Sequence, residues 1–307
     1  MQWKACKTFH IENPLVRYNA YMNNIREVTI NNKEYPERLR NIHTPPKKLF
    51  VRGALPPDDA VTIAIVGSRK CTAYGKQAAY DLAYALAARG VVIVSGMALG
   101  IDGEAHKGAL DAGGVTVAVL GTGVDDKSIY PHTHTSLAKS IMEHGAVISE
   151  YETGTPALPH QFPERNRIIS GLSLGVVVVE ASEKSGSLIT ANFALEQGRD
   201  VFAVPGPIYA QTSRGANFLI QRGAKLVLSA DDILTELGIT TDTKGGSTVG
   251  LTEEETVVIS CLSAEPLTVD DIITQSHLNA ETVLIALTML ELKNTITHVG
   301  STYAKKI

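Results

Sequence analysis

Several basic side chains stand where the sequence is about to turn into a helix. Arg69 and Lys70 precede a helical stretch that begins at Tyr74. Lys184 precedes one that opens near Ser187, and Arg165 and Arg167 follow Pro163, a residue suited to a first helical turn. The N-terminus of a helix carries partial positive charge and prefers Asp or Glu nearby. Cations in that place are electrostatically awkward unless an anion lies among them. Each one singly can be solvated, or can pair with Glu164, Glu180 or Glu183. A polyanion would relieve the whole set at once.

The loops that carry these cations share a composition. Apolar runs give way to Gly67-Ser68-Arg69-Lys70, Ser95-Gly96-Met97, Gly121-Thr122-Gly123, Glu150, Glu180-Ala181 leading to Lys184-Ser185-Gly186-Ser187, and Pro205-Gly206-Pro207. Gly, Ser and Thr let backbone N–H groups approach a ligand, and adjoining helix N-termini add to the attraction for an anion. Glycine is also common in tight turns for steric reasons alone. The coincidence across loops is what favours an anion site.

Other chemistries are disfavoured. The first strand-to-helix turn reads GSRKCTAYG, which is not the dinucleotide fingerprint, and no GxxxxGK[ST] is present. Gly171 to Gly175 matches GxSxG, but a helical stretch precedes Ser173 and a strand follows it, the reverse of a nucleophile elbow. Asp102 reads as a helix cap, with a general base as the alternative. His132, His134 and His160 have no trusted ligand spacing and read as surface residues. The three cysteines, Cys6, Cys71 and Cys261, are far apart and form no CxxC pair, which fits a reducing compartment. The expectation is therefore no catalytic residues, no metal and no cofactor.

The elements that must position the cations follow from hydrophobic patterning. Val61–Val66, Val91–Val94, Val115–Leu120, Ala146–Ser149, Val176–Val179, Val201–Val204 and Lys225–Leu228 are short and mostly continuous apolar runs, as strands buried on both faces should be. Between most of them lie helical stretches such as Tyr74–Ala88, Ile101–Ala112 and Leu188–Gln197. Gly90, Gly113, Gly145 and Gly198 each sit just before the next strand, where a helix end favours a left-handed residue. The pattern predicts an α/β fold: an extended Rossmann-like, mostly parallel, doubly wound sheet. Ligands bind beyond the C-terminal strand ends of such a sheet, where the loops above fall.

Four segments are expected. Residues 1–60 read as a short N-terminal appendage, 61–237 as the Rossmann-like domain, 238–250 as a Gly/Thr-rich linker and 251–307 as a winged-helix domain. The last begins with a capping box at Thr252 and Glu255, continues through two further helices and ends in a hairpin with a turn near Gly300. The net charge is −4, but it is uneven: residues 251–307 carry 3 Lys/Arg against 8 Asp/Glu. Any phosphate-gripping surface is a local patch on the earlier part. The opening MQWKACKTFH lacks a signal-type apolar stretch, and no run approaches the ~18 apolar residues of a membrane span, so a soluble, cytoplasmic protein with no membrane contact is expected.

The ordered series AIVGSRKCTAYG, VSGMALGIDGEAHKGAL, AVLGTGVD…IYP, FPERNRIISGLS, VVVVEASEKSGSLITANFALEQGRDVFAVPG and RGANFLIQRGAKLV, roughly residues 61–237, resembles the DNA-processing protein A (DprA/Smf) family. YPERL…PPKKLFVRG resembles its lead-in, and the tail resembles the winged helix many members carry. Two departures are that IYPHTHTSL has His134 where the family pattern has asparagine, and that the short lead-in implies a missing accessory helical module. The resemblance implies sequence-independent binding of single-stranded DNA, a homodimer through the Rossmann-like domain, and help in loading the RecA recombinase in natural transformation or related recombination. It carries DNA-binding roles onto Arg69, onto Arg165 and Arg167 of FPERNR, and onto Lys184, with Gly67, Ser68 and Asn166 beside them as further candidate contacts. Phe162, Ser185, Gly186 and Ser187 are supporting candidates, Phe162 as a base-stacking ring or as core. The alternatives are a Rossmann-like nucleotide hydrolase, whose PGGxGT motif is missing, and a sensor of small nucleotides.

Overall fold

The computed structural model describes residues 24–239, 252–262, 266–293, 295–299 and 302–305. Cys6, the expected linker from 240 onward and the turn at Gly300 lie outside the described residues. The chain divides into two compact units, Met1–Thr243 and Lys244–Ile307.

The first unit runs β1 (Arg26–Thr29), α1 (Glu37–Arg40), β2 (Lys48–Gly53), β3 (Thr62–Val66), α2 (Ala73–Ala87), β4 (Val92–Ser95), α3 (Ile101–Asp111), β5 (Thr116–Val119), α4 (Thr135–His144), β6 (Ala146–Ser149), α5 (Gln161–Leu172), β7 (Gly175–Val178), α6 (Gly186–Glu196), β8 (Asp200–Ala203), α7 (Arg214–Gln221), β9 (Lys225–Leu226) and α8 (Ala230–Glu236). One sheet holds all nine strands in the order β1-β2-β6-β5-β4-β3-β7-β8-β9. Strands β3 to β9 pair in parallel, as the apolar runs predicted.

Both faces are covered, which explains the continuous apolar runs. Successive side chains of a strand point to opposite faces. In β3, Ala64 and Val66 join a core with Ile168, Ile169 and Leu172 of α5 and Ala191 and Ala194 of α6. Ile63 and Ile65 join another with Leu82 and Leu86 of α2 and Ala105 and Ala109 of α3. Fully burying one such aliphatic side chain is worth roughly 1.5–3 kcal/mol.

Residues 26–53 differ from the expected appendage. Strands β1 and β2 extend the same sheet, β2 pairing antiparallel with β6. Leu49 and Val51 enter one core and Phe50 the other side, so this short apolar run is a buried strand. Gly90, Gly113 and Gly198 adopt left-handed φ of 80°, 68° and 66°. Gly145 is extended instead, and is required because a Cβ there would collide with the Thr116 carbonyl oxygen. Helix α5 ends at Leu172 and Ser173 Oγ donates to the Ile169 carbonyl at 2.9 Å, so the GxSxG match is a helix end, as its context indicated.

The second unit comprises α9 (Glu253–Cys261), β10 (Leu267–Thr268), α10 (Val269–Ser276), α11 (Ala280–Leu292), β11 (Ile296–Val299) and β12 (Thr302–Lys305). Its three strands order β10-β12-β11, giving the winged-helix arrangement of three helices and a hairpin. The capping box at Thr252 and Glu255 is present, and Val258, Ile272, Val283 and Leu287 form its core. Among the described residues no helix is long and apolar enough to cross a membrane.

Candidate nucleic-acid interface

Strand order reverses at β3. From there β4, β5 and β6 extend one way and β7, β8 and β9 the other. The crevice at such a switch point, beyond the C-terminal strand ends, is where ligands bind in open α/β sheets. The loops after β3 and β7 are stitched together there, Ser68 N–H donating to the Glu180 carbonyl at 2.7 Å.

Residues from three elements meet at this edge. Arg69 is exposed, and its guanidinium carbon lies 5.1 Å from the centroid of the half-buried Phe162 ring in the first turn of α5. Asn166 Nδ2, one turn on, donates to the Gly186 carbonyl at 3.2 Å and ties α5 to the loop after β7. Lys184, in that loop, is exposed; neither it nor Arg69 has an ion pair among the described residues. Helix α6 then opens with Ser185 as its cap, accepting from Ser187 N–H at 3.4 Å, and with no acidic residue in its first turn. Open space surrounds Gly186, whereas a Cβ at Gly67 would collide with Ile101. Gly67, Ser68, Arg69, Phe162, Asn166, Lys184, Ser185, Gly186 and Ser187 therefore belong to one edge.

One helix N-terminus is already served from within. The buried Glu180 carboxylate accepts from Thr72 N–H at 2.8 Å and Thr72 Oγ1 at 2.7 Å at the start of α2. Glu180 therefore supplies a carboxylate at that N-terminus, while Arg69 and Lys70 before it stay exposed. The α6 N-terminus, by contrast, has no acidic residue in its first turn.

Two of the expected cations are placed differently. Arg165 is buried (3% exposed), and its guanidinium donates to the carbonyls of Gly96, at 2.7 Å, and Val119. A Cβ at Gly96 would meet that guanidinium at 2.5 Å. Asp102 lies within the first turn of α3, not at its cap, and accepts from Gly96 N–H at 3.2 Å and Ala98 N–H at 3.4 Å. Burial pushes the Asp102 carboxyl up, opposed by the charge of Arg165; burial likewise lowers Arg165 to about 10, which leaves it charged at neutral pH. Arg165 thus organises the floor of the loops and is not presented to a ligand. Arg167 forms a bidentate pair with Glu150 at 2.8 and 2.7 Å, so its charge is neutralised. Its partner is none of the three carboxylates considered from sequence.

Sequence reasoning also missed Tyr130. It follows the β5 loop in the IYP stretch, and its ring centroid lies 5.7 Å from that of Phe162. The signal was its place after a strand-end loop. His132 and His160 are exposed, whereas His134 Nδ1 donates to the Met97 carbonyl at 3.0 Å, a structural role. Among the described residues no group of three His, Cys, Asp or Glu side chains could hold a metal ion.

A doubly wound sheet with exposed cations, an aromatic ring and a helix N-terminus without a carboxylate at its switch point, in a chain that also has a winged-helix unit, defines a Rossmann-like α/β protein. The chain belongs to the DNA recombination-mediator protein A family, whose model matches residues 26–238; the DprA winged helix domain model matches 242–300. It is 50% identical over 204 residues to Protein Smf of Escherichia coli K12, covering 66% of this chain and 54% of that protein. The chain thus spans about half the length of that relative. Among solved structures it is similar to DNA processing protein A of Streptococcus pneumoniae, with TM-score 0.64, 42% identity and coverage of 71% of this chain and 76% of the other. It is also similar to DNA processing protein A of Helicobacter pylori, solved for its single-stranded DNA binding mode, with TM-score 0.60, 31% identity and coverage of 69% and 95%.

Proposed function

We propose that this protein binds single-stranded DNA without sequence preference at the β3–β7 switch point and acts as a recombination mediator, delivering the strand to the RecA recombinase. The observation that carries the reading is that Arg69 and Lys184, exposed and without ion pairs among the described residues, stand in the loops after β3 and β7, with Phe162 against Arg69. Arg69 and Lys184 contact phosphates, the amides of Ser185 to Ser187 supplement them, and Phe162 offers a stacking face. Phosphate contacts and stacking carry little sequence information.

A mediating role without turnover is favoured by the state of the groups a hydrolase would recruit. Asp102 is engaged with loop amides beside Arg165, and His106 is buried against Thr116 at 2.7 Å. A homodimer would use the open edge at β9, where Phe218, Leu226 and Leu228 are exposed. The free thiols of Cys71 and Cys261 suit the cytoplasm.

The test is a titration of fluorescent single-stranded oligonucleotides at several salt concentrations with the wild type, Arg69→Ala and Lys184→Glu. Weaker binding and a shallower salt slope are expected for both variants. Wild-type affinity in both would reject the site. Co-precipitation with RecA on single-stranded DNA tests the mediator step.

A further inference from the structure

We infer that Tyr130 is a second nucleobase-stacking position beside Phe162, so that the interface accommodates two bases and not one. The inference rests on the single-strand reading above and extends it to a loop that carries no cation of the site.

Tyr130 is a large ring left 41% exposed. Its centroid lies 5.7 Å from Phe162 at an interplanar angle of 47°, and 6.1 Å from His132 at 77°. The chain on either side is held in place. Ile129 is fully buried and its N–H donates to the Asp125 carbonyl at 3.2 Å, while Ser128 Oγ donates to the Asp125 carboxylate at 3.0 Å. Downstream, His134 bonds the Met97 carbonyl. An aromatic ring exposed between two such anchors is preorganised, with little side-chain freedom to lose on binding.

The rings are unequal as platforms. Phe162 has the Arg69 guanidinium over its ring, whereas no cation lies over Tyr130 among the described residues. A base can therefore stack on Tyr130 without displacing a cation. The 5.7 Å between centroids exceeds the ~3.4 Å rise per nucleotide of duplex DNA. Bases on the two tilted rings would be separated from each other, as single-strand binders require, with the phosphate between them near Arg69. The ligand class is an unpaired strand of nucleotides; a duplex cannot present two splayed bases.

Binding of an oligothymidylate containing iododeoxyuridine tests this. Ultraviolet crosslinking to the wild-type protein followed by peptide mapping should place adducts on Tyr130, a readout independent of any variant's folding. Tyr130→Ala should weaken binding by about tenfold with an unchanged salt slope, because stacking is lost and no phosphate contact is. Tyr130→Phe should bind as the wild type, since stacking needs the ring and not the hydroxyl. Absence of adducts on Tyr130, wild-type affinity of Tyr130→Ala, or equal weakening by both variants would overturn the subsite. If Arg69→Ala and Lys184→Glu bind normally, the parent reading falls; if they are weak while Tyr130→Ala is not, only the second position falls.

Discussion

The guanidinium of Arg69 lies over the ring of Phe162, 5.1 Å from its centroid, and this contact joins the loop after β3 to the first turn of α5. A cation held over an aromatic face is attracted by the ring quadrupole and is fixed in place by it. A planar guanidinium does this and grips a phosphate at once; an ammonium does neither as well. Arg69→Lys is therefore expected to keep the salt slope of the wild type but to bind single-stranded DNA several-fold more weakly. Phe162→Ala should lose ~1–3 kcal/mol of affinity, again at constant slope. Salt-dependent anisotropy titrations separate the two effects, and a flattened slope for either variant would contradict the assignment.

The buried pair makes a different prediction. Arg165 and Asp102 are both buried and each bears on the other's charge without a direct ion pair among the described residues, and Arg165 donates to two backbone carbonyls. Removing one partner of a buried charge pair leaves the other uncompensated, at a cost of roughly 3–5 kcal/mol. Arg165→Ala should lose stability of that order in chemical denaturation, and should lose DNA binding only as it unfolds. The double variant Arg165→Met, Asp102→Leu should recover part of the loss. A stable Arg165→Ala protein with selectively weakened binding would instead return Arg165 to the interface.

How legible this was from sequence depends on the range of the interaction. All seven runs hold the parallel strands: β3 to β8 are largely buried and leave a local apolar pattern, while β9 is a two-residue exposed edge strand. The exposure of Arg69 and Lys184 was legible because each stands in a Gly/Ser-rich loop after an apolar strand. Arg165 was not separated from Arg167, although a local signal existed. Arg165, Ile168, Ile169 and Leu172 fall at helical spacing on one buried face, which marks Arg165 as inward. The Arg167–Glu150 and Glu180–Thr72 contacts were out of reach, since they join side chains far apart in sequence whose meeting depends on strand order. Tyr130 was overlooked for the same reason: it reaches Phe162 across the sheet edge.

Because Arg167 is neutralised by Glu150 in a mostly buried pair, the two should contribute little net charge to the interface. The double variant Arg167→Ala, Glu150→Ala is expected to keep the wild-type salt slope, whereas Arg69→Ala should reduce it by about one. Glu150→Gln alone frees the Arg167 charge and should tighten binding at low salt. A double variant with a slope as shallow as that of Arg69→Ala would show that Arg167 contacts phosphate in spite of its partner.

The last prediction concerns pH. His106 is fully buried, its Nδ1 at 2.7 Å from Thr116 Oγ1, whose own proton goes to the Ile93 carbonyl at 2.7 Å. The imidazole must then donate from Nδ1, which leaves Nε2 without a hydrogen-bond partner and unprotonated. Burial pushes its pKa down to about 3, helped by the charges of His134 and Arg165. The folded value lies below the ordinary value of 6.5, so the unfolded chain binds the proton first. Stability is unaffected above that pH and falls as pH drops from there toward 3. Between pH 7 and pH 5 the loss from this one group is about 2 kcal/mol. Denaturant unfolding at the two pH values should show it, and His106→Gln should remove it while lowering stability at pH 7 only modestly. If the variant retains the full acid sensitivity of the wild type, the titration arises elsewhere and the neutral Nδ1–H assignment loses its consequence.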